Sequence, residues 1–510
     1  MLARRKLEFP PNRSPMLMLF LAVMALLIGW QFLILPFAGN DEPWHSTRAY
    51  AGAHLTTIFG VPKSKRPVTF HGGPVIAPAW AYGRSLVAPT HSDWLCFIHK
   101  PSVPATCAAY NWADKTMTND PHPDSEYSPL GYFLIGLPTL FLSGEVAYYA
   151  MRAFAVLLTF GLLFLPLFFF YKLYVKKIPY LLFMCLLPSV MLNVSTINID
   201  GVTLGASLGT GLIVVAGLLE PATCKTKRWF LLLVLYSTLL ILFRQFGDAQ
   251  LFAIIVFAGI MRMKRFSQWV LWTLPAFVFE LWRSSTYPVS FPNATGHGLV
   301  QHASWLEAYL ASLVSVVQST VYDFLQGDFQ EAHIPIGLAL PFGVWIVVAV
   351  GRHLNPGNKR LTFAVFSYVL IVLLYASLAS NLNPYEWFTP WQGRYTYPGL
   401  LTLFALLWGL SVKANTHIIG KRVAFGMWLG FMLIGVEVAI VRFDEGVASS
   451  NTLAWWTNLI GIKGNSSSLG GYRGLVGILL VLLSALLFGL VLFSSENSTS
   501  IALPSEKKRK

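Results

Sequence analysis

Charged residues are scarce in this chain. They make up 12% of its 510 residues, whereas hydrophobic residues make up 55%. A soluble domain carries about 25% charged residues, so this composition excludes a soluble protein that hides its apolar side chains in one core. The apolar residues gather into long runs, and a lipid-exposed span must satisfy its own backbone hydrogen bonds. The sequence therefore predicts an all-α polytopic membrane protein.

Cysteines and familiar catalytic signatures are also few. The four cysteines do not have zinc-finger spacing, and no Walker, HExxH or GxSxG motif occurs. No nucleotide cofactor is therefore predicted. Cys96 and Cys107 both lie in the longest hydrophilic stretch. They can form a disulfide if that side of the membrane is oxidising, and the alternative is a pair of free cysteines.

Basic residues give the chain a net charge of +14, and they sit in short clusters between the apolar runs. This pattern is typical of cytoplasmic loops under the positive-inside rule and does not indicate nucleic-acid binding. It predicts a multi-pass protein of the plasma membrane with both termini in the cytoplasm. About twelve spans are expected: 15–35, 147–171, 179–196, 202–219, 229–243, 249–261, 269–281, 334–350, 363–378, 398–410, 424–441 and 474–493.

The spans divide the chain into two membrane modules. The first, 15–283, includes a long outer loop at 36–128 and an interfacial helix at 129–142. The second, 334–493, follows an outer loop at 284–333, where 305–324 suggests an amphipathic helix. Residues 1–14 and the basic tail 494–510 are the cytoplasmic ends. No internal repeat is evident, which argues against an inverted-repeat transporter.

Six ionisable residues lie at or near the predicted outer ends of the spans and could share one site there. They are Asp41, Glu42, Asp200, Arg244, Asp248 and Arg394. The first group is Asp41-Glu42-Pro43-Trp44-His45, directly after the first span. A carboxylate at a half-dehydrated membrane edge has its charged form disfavoured, which raises its pKa toward values useful to a general base. The group is therefore interpreted as a general base, or as a metal ligand assisted by His45. The alternative is an acidic pair that only marks the interface.

Three further residues follow the same pattern. Asp200, within Asn-Ile-Asp-Gly, is either a second acid of the cavity or part of a tight turn. Arg244 and Asp248 are either an anion-binding arginine oriented by an acid or a helix-end salt bridge, which is worth about 0–1 kcal/mol when exposed. The glycines of 201–211 lie within a predicted span and indicate close helix packing.

An arginine also begins the predicted span at 398–410. The stretch is Gln392-Gly393-Arg394-Tyr395. A guanidinium binds phosphate in a bidentate manner, and tyrosines suit the depth of a lipid headgroup, so Arg394 is interpreted as a phosphate contact. The alternative is an arginine that snorkels to the interface.

Together these motifs resemble the GT-C superfamily of membrane glycosyltransferases, and most closely a bacterial family of predicted polytopic membrane proteins that opens with P-x-D-E-P-x-H and R-A-Y. One departure is that the gap from Pro36 to Asp41 is longer than in the family pattern. The matching stretches, spread over 36–398, are Pro36, Asp41 to His45, Arg48-Ala49-Tyr50, Tyr127-Ser128-Pro129-Leu130-Gly131-Tyr132, Arg152, Asn198-Ile199-Asp200 and Gln392 to Tyr395.

The resemblance implies an inverting transferase that uses a polyprenyl-phosphate sugar donor on the outer face of the membrane. Asp41 would deprotonate the hydroxyl of a glycan, lipid or protein acceptor, with Glu42 orienting the loop or pairing with a cation and His45 in support. Arg394 would contact the donor phosphate. Metal dependence varies in the superfamily, so a divalent cation stays open. The other expected substrate contacts are Tyr127, Asp200, Arg244, Asp248, Gln392 and Tyr395.

Two other functions compete with this hypothesis. One is a transporter or flippase for a lipid-linked glycan, and the other is a non-catalytic component of envelope assembly. A transporter is expected to place ionisable groups near the middle of the membrane. Here they lie at the ends of the predicted spans, which favours the enzyme.

Overall fold

A computed structural model gives the architecture of the chain. It describes residues 14–39, 42–54, 65–70, 73–78, 83–84, 96–97, 129–170, 186–244, 247–286, 305–326, 358–382, 393–410, 421–440 and 470–497, together with 100, 103, 107, 117–118, 173, 334, 339–341, 343–344 and 442.

Fourteen α-helices lie within the described residues. In chain order they are α1 (Ser14–Leu33), α2 (Glu42–Ala53), α3 (Pro129–Gly136), α4 (Gly144–Phe169), α5 (Pro188–Val194), α6 (Ile199–Leu219), α7 (Lys227–Phe243), α8 (Gly247–Ile260), α9 (Phe266–Thr286), α10 (Trp305–Gln326), α11 (Lys359–Leu382), α12 (Tyr397–Leu410), α13 (Lys421–Ile440) and α14 (Gly470–Asn497). Short 3-10 helices occupy Leu137–Leu140, Thr223–Lys225 and Gly393–Thr396.

Four helical segments in the described part of the chain are long and apolar enough to cross a membrane. They are Gly144–Phe169, Ile199–Leu219, Lys359–Ser377 and Gly474–Leu492. Four shorter apolar segments accompany them: Leu17–Leu33, Leu130–Leu140, Gly247–Ile260 and Phe425–Ile440. The bundle is helical, as predicted, while the total of about twelve spans remains a prediction.

Helix α6 lies at the centre of the bundle. Of its apolar window, 89% is buried inside the protein, compared with 33–50% for the other three long segments. It packs against α4, α7 and α12, whereas α1 packs mainly along α14. Side chains near the ends of α6 are therefore shielded from lipid by a ring of neighbouring helices.

Glycines let the neighbours of α6 approach closely. A Cβ atom on Gly205 would lie 2.6 Å from the carbonyl oxygen of Thr159 in α4, and one on Gly209 would lie 2.9 Å from that of Leu162. On another side of the helix, a Cβ atom on Gly211 would lie 2.8 Å from the Thr402 side chain in α12. These contacts confirm the close helix packing that the sequence predicts for 201–211.

The segment 36–128, which is predicted as the first outer loop, contains strands that the sequence does not predict. β1 (Lys65–Phe70) pairs antiparallel with β2 (Gly73–Pro78), and β3 (Gly83–Arg84) pairs antiparallel with β4 (Met117–Thr118). Helix α2 shows no apolar period because its buried side chains are largely polar. They include Glu42, His45, Ser46, Thr47 and Arg48.

The stretch 198–201, for which the sequence offers a tight turn, is largely the start of a helix. Asn198 is the N-cap of α6, since its side chain accepts a hydrogen bond of 2.8 Å from the backbone N–H of Asp200. The predicted turn at 198–201 is therefore wrong from Ile199 onward. Likewise, Gly247 and Asp248 already belong to α8. The helices expected at 129–142 and 305–324 are present, as α3 with its 3-10 extension and as α10.

A disulfide ring within the segment 36–128 contacts Arg442, which lies two residues beyond the end of α13. Cys96 and Cys107 form the disulfide. Arg442 donates hydrogen bonds of 2.9 Å to the carbonyl oxygens of Phe97 and Val103, both inside the ring. Arg442 and Phe97 are each 0% exposed. The guanidinium thus holds the ring against the bundle across more than 300 residues of sequence.

We expect Arg442→Gln to release this ring. The shorter amide cannot reach both carbonyl oxygens, and each hydrogen bond to a charged group is worth about 1.5–3 kcal/mol. Chymotrypsin should then cleave after Phe97 at least about tenfold faster, as measured by mass spectrometry of the reduced digest. Arg360→Gln, at an exposed arginine in α11, serves as the control. An unchanged cleavage rate in Arg442→Gln would show that the ring is held by other contacts.

Candidate functional site

Three charged side chains from separate parts of the chain meet at one end of the bundle. Asp200 lies in the first turn of α6, where the Asn198 cap fixes the start of the helix. Arg244 directly follows the last residue of α7, and Arg394 lies in the 3-10 helix that precedes α12. The packing of α7 and α12 against α6 brings these helix ends together. We call these residues, with Tyr395, the Asp200 cluster.

The geometry of the Asp200 cluster is that of two arginines sharing one acid. Arg244 forms an ion pair with Asp200 through its Nη1, and the Nε of Arg394 lies 3.8 Å from the other carboxylate oxygen. The guanidinium carbons of Arg244 and Arg394 lie 4.1 and 5.3 Å from the centroid of the Tyr395 ring. Asp200, Arg244 and Arg394 are 5%, 3% and 6% exposed.

The charge of the cluster favours an anion. Its two guanidinium groups and one carboxylate sum to a formal charge of +1. Electrostatic interactions are stronger here than in water because the groups are buried. Guanidinium groups also bind phosphate or carboxylate oxygens in a bidentate manner, and an aromatic face stabilises them beside each other. The arrangement can therefore bind a phosphate group at the end of the bundle.

Asp248 does not take the role of an acid that orients Arg244. It accepts a hydrogen bond of 3.2 Å from the Tyr375 hydroxyl of α11 and one of 2.7 Å from the backbone N–H of Ala249. The ion-pair partner of Arg244 is Asp200, from another helix. The structure thus brings Asp200, Arg244 and Arg394 together and gives Asp248 a different set of contacts.

A second buried ion pair joins α2 to α4. Arg152 of α4 binds the Glu42 carboxylate in a bidentate manner, with Nε···Oε1 and Nη2···Oε2 distances of 2.7 and 2.6 Å. The same guanidinium donates to the carbonyl oxygens of Gln31, Ile34 and Leu35 at 3.2, 2.7 and 2.7 Å. Both charged side chains are 0% exposed. Arg152 therefore caps the end of α1 and neutralises Glu42 at the same time.

Glu42 also binds the segment that leads to Asp200. Its Oε1 accepts a hydrogen bond of 3.0 Å from the backbone N–H of Ile197, and its Oε2 accepts one of 3.1 Å from Gly39. A Cβ atom on Gly39 would lie 2.5 Å from the Thr196 side chain, so the backbone of Gly39 is in close contact with that side chain. The first loop is thereby fixed to a point three residues before Asp200.

His45 lies on the same helix, α2, as Glu42. Its Nδ1 is joined to the Tyr132 hydroxyl of α3 by a hydrogen bond of 2.7 Å, and the two rings are stacked. The guanidinium carbon of Arg48 lies 5.8 Å from the centroid of the Tyr132 ring. His45 is 4% exposed and Arg48 is 1% exposed. These contacts hold α2 against α3.

Three of the predicted site residues, Asp41, Tyr127 and Gln392, lie outside the described residues. Within the described part of the chain, no three His, Cys, Asp or Glu side chains are grouped as metal ligands.

Comparison with protein families decides where the chain belongs. A family model described as "Predicted membrane protein (DUF2142)" matches residues 24–403, about three quarters of the chain. The chain belongs to the DUF2142 family. The matched range of this DUF2142 protein contains the Asp200 cluster and the pair of Glu42 and Arg152, whereas Arg442 lies beyond it. The membership and the apolar helices together make it a membrane protein.

Other comparisons are more distant. A search of curated proteins finds no match. Among solved structures, the DUF2142 protein is similar to the crystal structure of ArnT from Cupriavidus metallidurans bound to undecaprenyl phosphate. The two chains are 12% identical with a TM-score of 0.46, over 96% of this chain and 79% of the other. A likeness at this level carries no inference about the chemistry of the DUF2142 protein.

The sequence identifies Arg152 only as a match to the family pattern. Its ion pair with Glu42 is found only in the structure. One signal was available, because an ionisable side chain inside an apolar run is usually paired. It also missed the left-handed backbone of Phe37, which has φ = 61° and donates its N–H to the Tyr148 hydroxyl at 2.7 Å. Such a conformation of a bulky residue costs about 1–3 kcal/mol and is found mainly near functional sites. No sequence signal marks it.

Proposed function

We propose that this DUF2142 protein transfers a sugar from a polyprenyl-phosphate donor to an acceptor hydroxyl at the outer face of the membrane. The observation that carries the proposal is the Asp200 cluster, in which two buried arginines converge at one end of the bundle. Arg244 and Arg394 bind the donor phosphate, and Asp200 holds them in place. The lipid tail of such a donor keeps its phosphate at the membrane interface, where the proposal places the end of the bundle that carries the cluster.

The reaction is a single displacement with inversion. The acceptor oxygen attacks the anomeric carbon, the bond from that carbon to the phosphate oxygen breaks, and Asp41 takes the acceptor proton. Polyprenyl phosphate leaves as an anion, and the two guanidinium groups stabilise the charge that develops on it. The protein contributes mainly by holding donor, acceptor and base in register.

Glu42 and His45 position the loop in this mechanism. Glu42 is fully buried and accepts four hydrogen bonds, two from Arg152 and one each from Gly39 and Ile197, so its carboxylate is committed to structure. His45 fixes α2 through Tyr132. We therefore assign the proton transfer to Asp41, the neighbour of Glu42 in sequence.

The position of the charged groups favours an enzyme over a transporter. Asp200 is in the first turn of α6, Arg244 follows the end of α7, and Arg394 precedes α12. A carrier that moves a lipid-linked glycan across the bilayer needs such groups near the middle of the spans. The same placement also fits a non-catalytic envelope protein, which the absence of turnover would reveal.

The experiment is to measure binding of undecaprenyl phosphate to the purified protein in nanodiscs. We expect Arg244→Gln and Arg394→Gln each to weaken the affinity by about 10- to 100-fold, because each removes a charge-assisted contact to phosphate worth about 1.5–3 kcal/mol. Arg228→Gln is the matched control, since Arg228 is exposed at the opposite end of α7 from Arg244.

Two results would contradict the proposal. If both cluster variants bind undecaprenyl phosphate as tightly as the wild type, the cluster does not hold the phosphate. If the wild type moves polyprenyl-phosphate sugars between the leaflets of liposomes and transfers none of them to an acceptor, the protein is a transporter.

A further inference from the structure

Three buried polar side chains around the Asp200 cluster have an atom with no hydrogen-bond partner among the residues that the structure describes. The atoms are Asn193 Oδ1, Ser195 Oγ and Gln250 Oε1. Their residues are only 5%, 0% and 4% exposed. Leaving such a group unsatisfied costs about 1–3 kcal/mol, so a protein keeps it where something else supplies the hydrogen bond.

Nearby buried hydroxyls are satisfied within the protein. Thr196 Oγ1 donates to the carbonyl oxygen of Leu192, and Thr203 Oγ1 donates to that of Ile199, both at 2.9 Å. The local backbone can therefore accept hydrogen bonds from side chains in this region. Ser195, immediately before Thr196, does not use it.

Asn193 and Ser195 border the first turn of α6. Asn193 is the penultimate residue of α5, and Ser195 follows that helix, five residues before Asp200. A Cβ atom on Gly201, the neighbour of Asp200, would lie 3.1 Å from the Cα atom of Val194 and 3.4 Å from the carbonyl oxygen of Asn193. The end of α5, which carries the two polar residues, therefore packs against the first turn of α6, which carries the acid of the cluster.

Gln250 borders the cluster from the side of the arginines. It lies in the first turn of α8, and the backbone N–H of Gly247 that starts this helix donates to the carbonyl oxygen of Arg244 at 2.9 Å. A Cβ atom on Gly399 would lie 4.0 Å from the Gln250 Cγ. Gly399 follows Arg394 by five residues. Gln250 is thus close to the segments that carry both arginines.

The chemistry of these atoms suits a hydroxyl-bearing group and not a second anion. Two of them are amide oxygens, which accept hydrogen bonds only, and the third is a hydroxyl that donates or accepts. Amide oxygens repel phosphate oxygens but accept from sugar hydroxyls. We infer that Asn193, Ser195 and Gln250 form a subsite for the hydroxyl groups of the sugar that is linked to the phosphate. This inference rests on the proposed function and adds the residues that recognise the sugar.

The test compares two ligands in the same nanodiscs. Dissociation constants of the wild type are first measured for undecaprenyl phosphate and for a panel of undecaprenyl-phosphate hexoses and pentoses. The panel member that the wild type binds most tightly is then used as the sugar-bearing lipid for the variants. We expect Ser195→Ala and Gln250→Met each to weaken binding of the sugar-bearing lipid by about 5- to 10-fold, the worth of one hydrogen bond. Binding of undecaprenyl phosphate should be unchanged, which also shows that the variants fold.

Thr210→Val is the control, because the Thr210 hydroxyl is buried in the same helix as Asp200 and donates to the carbonyl oxygen of Ala206 at 2.8 Å. It should alter neither affinity.

The outcomes separate the two proposals. If the wild type does not bind undecaprenyl phosphate, the proposed function fails and the subsite fails with it. If undecaprenyl phosphate binds through the arginines, but Ser195→Ala and Gln250→Met bind the sugar-bearing lipid as tightly as the wild type, the subsite is overturned and the proposed function stands. A panel in which no sugar improves on undecaprenyl phosphate overturns the subsite equally.

Discussion

Asp41→Asn is expected to lower turnover of a polyprenyl-phosphate sugar by about 10²- to 10⁴-fold, the usual contribution of a general base. Asparagine has nearly the same shape as aspartate but cannot take the proton of the acceptor hydroxyl. The affinity for undecaprenyl phosphate should stay within about twofold of the wild type, because Arg244 and Arg394 hold the phosphate in the proposed mechanism. The measurement is kcat with radiolabelled donor, beside the dissociation constant of the same preparation.

A control and a pH profile sharpen this prediction. Glu220→Gln removes an exposed acid just after the far end of α6 and should leave kcat unchanged. Turnover by the wild type should fall on the acidic side as the base becomes protonated, and the residual rate of Asp41→Asn should lack that fall. Turnover that survives Asp41→Asn intact would transfer the role of base to another group.

The apolar runs carry most of the information about the helices. The predicted span 202–219 corresponds to α6 (Ile199–Leu219), and the predicted span 229–243 corresponds to α7 (Lys227–Phe243). The length of each apolar run sets the length of these helices, because each helix must be long enough to cross the hydrocarbon core of the bilayer. Asp200, Arg244 and Arg394 could be assigned to one side of the membrane from the alternation of basic loops, and in the structure they meet.

The sequence does not predict which charged side chains form ion pairs with each other. Arg244 has an acid four residues away, Asp248, and sequence separation alone favours that partner. The ion pair goes to Asp200 instead, because α6 and α7 pack side by side and bring their adjoining ends together. Helix α2 shows a related limit. Its buried face is polar, so the hydrophobic period that reveals other helices is missing.

The two ion-pair networks are physically continuous. Glu42 binds the backbone N–H of Ile197, Asn198 then caps α6, and Asp200 follows in the first turn and pairs with Arg244. The loop that carries the proposed base and the segment that carries the proposed phosphate site therefore share one short stretch of backbone. A change at Glu42 should reach the phosphate site through this stretch.

Arg152→Met tests how strongly the ion pair of Glu42 and Arg152 stabilises the fold. It is expected to destabilise the protein by about 3–5 kcal/mol, because it leaves the Glu42 carboxylate buried without its cation. It also removes the donors to the carbonyl oxygens at the end of α1. Resistance to unfolding by SDS in mixed micelles gives the measurement. Arg360→Gln, at an exposed arginine, should change the stability by less than about 0.5 kcal/mol.

The double variant Glu42→Met/Arg152→Met separates the ion pair from the rest of the network. With both charges gone, no uncompensated charge remains, so the loss should be smaller than the sum of the two single losses by at least about 2 kcal/mol. Turnover should nevertheless stay low, because Ile197 and Gly39 have lost the acceptor that fixes the loop. Additive single losses would mean that the two residues act separately, and a double variant with full activity would mean that Glu42 does not position the loop for catalysis.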